Sequence, residues 1–205
     1  MEDLISIREK IRQMAELALS MLKSTFDGFM EHNPDIFANV LKDEQFLNEM
    51  EKAITLSLIG TSKGKITNTD KKNIMLLAAI VADLEQIGDY IKDMIERIEI
   101  KIQEKLLFSE EALLEYKHLY SVVEMALSDI INSFKMDNKS FAKRILGDKE
   151  RVDKLIEKYR KAHTQRLMLG ECDPRAGNMF LNLMDFTGQI FHHTKSIARS
   201  ILKIK

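Results

Sequence analysis

Apolar positions three and four residues apart recur through nearly the whole chain, the spacing of helices that each turn one stripe toward a core. Leu4, Ile7, Ile11, Met14, Ala18, Met21, Leu22, Thr25 and Phe29 define a first helix from about Leu4 to His32. Asn33-Pro34 ends it, because the residue before a proline disfavours helix while the proline suits the first turn of the next one. A second helix is expected from Pro34 to about Ile59, followed by a loop at Gly60-Thr-Ser-Lys-Gly-Lys. Thr69-Asp70 reads as the cap of a third helix that ends near Leu106. Ser109, with Glu110 and Glu111 set against the helix dipole, starts a fourth that runs to about Phe134. Asp137-Asn138 opens a fifth, and Gly170 through Pro174 closes it and starts a sixth with Asp173 as cap. No convincing strand pattern is present, so an all-α fold of six long helices is expected.

The two halves read as copies of one unit. Ala18-Leu19-Ser20, followed by Leu22 and Phe26, returns as Ala126-Leu127-Ser128 with Ile130 and Phe134. Phe37-Ala38 with Asp43 and Asn48 returns as Phe141-Ala142 with Asp148 and Asp153, one residue being inserted. Leu84-Glu85 and Gly88-Asp89 return as Met184-Asp185 and Gly188-Gln189. The order is kept while the offset falls, which puts the length changes in the turns. Two three-helix bundles side by side follow, residues 1–107 and 108–205.

The third helix carries two stripes. Leu77, Ile80, Val81, Leu84, Ile87, Ile91, Ile95 and Ile98 form the apolar one. Glu85, Asp89 and Asp93, with Glu96 on the same side, stack beside it at intervals of four. Like charges at that spacing cost a few tenths of a kcal/mol each unless a cation relieves them. The ladder is therefore either a solvated face relieved by Lys92 and Arg97 or a cation site. Two carboxylates alone rarely hold a hard cation, so further oxygens are needed from the second helix, where Asp43, Glu44, Asn48 and Glu51 lie.

His192-His193 looks like a metal pair, but adjacent helical residues point about 100° apart. Only His193 shares a face with Asp185 and Gln189. Glu115-x-x-His118 has the spacing of helical di-iron sites, which keeps an oxidoreductase of that type open as an alternative. The second such motif and two further inward glutamates are missing.

Charge and composition narrow the field. A formal net charge of -1 argues against a nucleic-acid partner. A lone cysteine, Cys172, makes no internal disulfide and favours a reducing compartment. The longest apolar run, Ile74 to Ala82, is under half of the roughly 20 residues that cross a bilayer. The first residues lack the basic-then-apolar pattern of a signal peptide, so a cytoplasmic protein is expected. No phosphate-cradling Gly-rich loop, nucleophile elbow or HExxH pair is found, and no enzymatic activity is expected.

Leu84-Glu85-Gln86-Ile87-Gly88-Asp89 resembles the Leu-Glu-Arg-Ile-Gly-Asp signature of PhoU-type proteins, with Gln86 in place of arginine. The duplicated three-helix layout is similar along essentially the whole chain. Arg166-Leu167, Gly170-Glu-Cys172-Asp-Pro174, Gly177 and Phe180-Leu-Asn-Leu183 look like the PhoU-like domain at the cytoplasmic C-terminus of bacterial sodium/phosphate cotransporters. The resemblance implies a regulator of phosphate uptake rather than a catalyst. Its partner would be a phosphate transporter's membrane component or a sensor histidine kinase, met at the inner face of the cell membrane, and a homodimer is a further expectation. It also implies iron or zinc held by Glu-x-x-x-Asp motifs. Glu85 and Asp89 match the first motif, Asp93 stands where the family often has asparagine, and Asp43 or Glu44 would complete the site. In the second copy Asp185 keeps the first carboxylate, Gln189 replaces the aspartate and His193 follows, so metal binding there is in question. A helical scaffold unconnected with phosphate is the remaining alternative.

Overall fold

The computed structural model describes residues 3–147 and 149–205. Its helices are α1 (Leu4–Glu31), α2 (Phe37–Ser62), α3 (Asn68–Gln103), α4 (Glu110–Lys135), α5 (Ser140–Gly147), α6 (Lys149–Met168) and α7 (Pro174–Lys203). The fifth expected helix corresponds to α5 and α6, described on either side of residue 148. No strand occurs among the described residues. The all-α architecture read from the periodicity is the one observed.

Most ends follow the expected chemistry. Asp3 caps α1 by accepting from Ser6 N at 2.7 Å. His32 ends that helix in the left-handed region, φ 53°. Asn33 accepts from Asp35 N at 3.1 Å and leads into a single 3-10 turn, Pro34–Ile36, before α2. Ser109 caps α4 and Asp173 caps α7, the latter accepting from Arg175 N and Ala176 N.

Two ends differ from expectation. The cap of α3 is Thr67 rather than Thr69-Asp70. Asp70 is its third residue and closes a reciprocal box by accepting from Thr67 N at 3.0 Å. A capping box satisfies two orphan amides, which a cap at Thr69 would not do. α2 also runs through Gly60 to Ser62. A solvent-facing glycine costs a helix only about 1 kcal/mol, less than would force an end.

α1, α2 and α3 pack on one another, and α4, α5, α6 and α7 do the same. The two groups meet along α3 against α7, the most extensive contact in the molecule, and along α1 against α4. One continuous set of buried side chains runs through both. Rings tie α1 to α4: Phe26 stacks on Tyr120 with centroids 3.7 Å apart, and Phe29 meets Tyr116 edge-on at 5.2 Å.

The repeat is visible in packing as well as in sequence. A Cβ added to Gly88 of α3 would lie 3.0 Å from Leu47 Cδ2 of α2. Its counterpart Gly188 of α7 faces Ile156 Cδ1 of α6, which would be 2.8 Å away. In each repeat a glycine on the third helix makes the notch that the second helix fills.

Candidate metal centre

The notch at Gly88 brings α2 against the acidic side of α3. Leu47 fills it, so Glu44, one turn earlier on α2, is carried into the contact and is only 4% exposed. A carboxylate that deep needs partners. Glu44 Oε1 accepts from Asn48 Nδ2 at 3.0 Å, and Lys92 Nζ of α3 lies at 3.5 Å. Lys92 therefore reaches across to α2 rather than only relieving its own helix, because the buried Glu44 has the greater need of a cation.

Asp89 is half-buried beside this pair. Burial pushes its carboxyl above the usual aspartate range, and the charges of Glu85, Glu44 and Asp93 push the same way, against Lys92. Glu85 accepts from Gln86 Nε2 at 2.9 Å. Asn48 Oδ1 is buried and has no hydrogen-bond partner. An orphaned carbonyl oxygen beside a buried carboxylate and an acidic ladder is a donor set suited to a hard cation. Even so, no three His, Cys, Asp or Glu side chains among the described residues are arranged to hold a metal ion.

The remaining candidates are dispersed. Asp43 is half-buried on α2 next to Glu44, Glu51 accepts from Thr55 Oγ1 at 3.1 Å, and Asp153 is exposed. Asp148 lies outside the described residues. Asp185 is ion-paired with Arg160 of α6. His193 turns from Asp185 and Gln189 to α3, where its Nδ1 meets Asp83 Oδ1 at 2.8 Å. His192 is exposed. Glu115 is bound by Arg166 at 2.6 Å and His118 Nδ1 meets the Tyr159 hydroxyl at 2.7 Å, so both members of the di-iron-like motif are committed to α6.

Asp83 and Arg160 are the partners that sequence reading missed. Arg160 sits 25 residues before Asp185 on the preceding helix and Asp83 sits 110 residues before His193, and local spacing carries no signal for such pairs.

Residues 11–98 match the PhoU domain, and that segment holds most of α1, all of α2 and the acidic ladder of α3. The chain is also 26% identical over 160 residues to the "Phosphate-specific transport system accessory protein PhoU" of Escherichia coli (strain K12), and the same figures hold for that of Shigella flexneri. Residues 11–98 thus carry a PhoU domain. The match covers 76% of this chain and spans 64% of the length of those PhoU relatives. The fold agrees with PhoU from Pseudomonas aeruginosa at a TM-score of 0.89, with 18% identity over 97% of this chain and 95% of that one. PhoU from Streptococcus pneumoniae, solved as a phosphate transport system regulatory protein, gives 0.84 at 14% identity over 97% and 93%. No helix among the described residues is long and apolar enough to cross a membrane.

Proposed function

We propose that the chain is a non-enzymatic accessory regulator of phosphate transport, acting at the cytoplasmic face of the membrane by docking on a transporter's membrane component. The PhoU domain over residues 11–98 carries this reading, together with a relative named as an accessory protein of phosphate-specific transport. Removing the chain from its host should change the rate of phosphate uptake and the expression of phosphate-starvation genes. Crosslinking in cells should recover a phosphate-transporter subunit. Unchanged uptake and expression would reject the regulatory role, and recovery of a sensor kinase alone would move the docking partner. Detection of the chain fused to apolar spans would make it the tail of a sodium/phosphate cotransporter.

The same reading gives the α2–α3 face a metal. Glu44, Asn48 and Asp89 would hold it, with Glu85, Asp93 and Asp43 adjoining, and a bound cation would supply the charge that offsets the ladder's repulsion. The orphaned Asn48 Oδ1 supports this. Binding to the folded state alone stabilises it by RT ln(1 + [L]/Kd), about 2.7 kcal/mol at a hundredfold excess over Kd. Added iron or zinc should raise the melting temperature of the parent and of Asp185→Ala. Glu85→Ala combined with Asp89→Ala should lose most of that shift and most of the bound metal in elemental analysis. Retention of both by the double variant would reduce the ladder to a solvated face.

A further inference from the structure

At the opposite end of α3 from its cap, Lys101 is 3% exposed, and its ammonium stands in a cavity of about 160 Å³. Phe29, Met30, Leu107, Phe108 and Leu113 give the cavity apolar walls, and His32 is its other polar side chain. Lys101 Nζ sits 3.1 Å from His32 Nε2 and lies over two rings, 5.1 Å from the Phe29 centroid and 5.3 Å from that of Phe108. Exposed His32 and Leu107 form the mouth, so the cavity opens to solvent.

A lysine carries three donors. One is met by the imidazole, and the ring faces supply partial negative charge. Among the described residues no carboxylate pairs with it, and burial alone lowers its affinity for a proton. Burying a cation without a counter-charge is costly, which sets this lysine apart from the ion-paired residues elsewhere on the molecule.

We propose that the cavity binds a small monoanionic carboxylate with an apolar body of about six carbons, its oxygens on Lys101 Nζ and His32. The charge is the one the ammonium lacks, and the apolar walls match the body. Size sets the limit, since an apolar cavity of about 150 Å³ takes one benzene ring. A hydrated dianion such as phosphate would lose its water against five apolar side chains with nothing to replace it. This site is distinct in place and chemistry from the acidic face of α2 and α3.

Calorimetric titration of the full chain with benzoate, benzyl alcohol, acetate and inorganic phosphate tests the assignment. Benzoate should bind with one-to-one stoichiometry and at least tenfold more tightly than the other three. Lys101→Met should weaken benzoate by about tenfold or more, the worth of a hydrogen bond to a charged group. Leu113→Phe, which keeps the lysine and fills the space, should weaken it too, and this variant carries the test if Lys101→Met does not fold. Failure of benzoate to bind the folded parent, an unchanged Kd in these variants, or phosphate binding as tightly as benzoate would overturn the proposal.

Discussion

At Asp89 burial and the carboxylates of Glu85, Glu44 and Asp93 act in one direction, and only Lys92 opposes them. A carboxyl whose native affinity for its proton exceeds the unfolded one destabilises the fold wherever it is charged in both states, and it regains that stability as pH falls. Without metal, Asp89→Asn should therefore melt above the parent at pH 7, with the gap closing in acid. With metal the proposed α2–α3 site predicts the reverse order, because there the substitution would remove a ligand. Melting curves at several pH values, with chelator and with added metal, check both signs. His163 works the other way. Burial first, and Arg166 after it, hold its imidazole below the usual range beside Gly177 and Phe180. The unfolded chain gains a proton there before the native one does, so this contribution to stability is lost as pH falls below about 6.5. Thermal melts of His163→Gln should show a smaller acid loss than the parent.

Among the elements, the glycines separate contact from propensity. A Cβ on Gly28 of α1 would come within 2.4 Å of the fully buried Phe37 ring, at the start of α2. Gly60, inside α2, has open space around it. Gly28→Ala should cost about 1–3 kcal/mol as an overpacked core contact. Gly60→Ala should add about 0.5–1 kcal/mol by helix propensity alone. Urea denaturation of the two variants measures the contrast, and equal effects would remove the distinction. At this scale much of the fold was legible. Stripe spacing located each helix, and Asn33-Pro34, Ser109 and Asp173 marked real boundaries. Gly60 misled because a lone glycine weakens a helix without ending it, and Thr67 was hidden because Thr69 and Asp70 offer equally good capping chemistry. The acidic ladder was also legible, since Glu85, Asp89 and Asp93 repeat every turn. What it packs against was not. Glu44 meets Lys92 across 48 residues and His193 meets Asp83 across 110, separations that only helix packing decides.

For the molecule as a whole, the contact of α3 with α7 and the ring stack of Phe26 on Tyr120 join the two bundles through one core. Unfolding should therefore be a single transition, with helical circular dichroism and aromatic near-ultraviolet signals superimposing. A double-mutant cycle of Phe26→Leu with Tyr120→Leu should give a coupling of about 0.5–1.5 kcal/mol, the range for paired rings. Two separated transitions, or no coupling, would mean that the bundles stand independently. The same rings have a consequence in alkali. The chain contains four tyrosines and no tryptophan. Two of the four, Tyr116 and Tyr120, lie in this joint, where burial raises both hydroxyls far above the ordinary value of 10.0. Above that pH the unfolded chain sheds protons that the folded chain keeps, so stability drains away as the medium grows more basic. Phenolate absorbance from these two side chains should thus stay silent until the helices melt, and then rise with them, so that the seam between the bundles sets the basic limit of the fold.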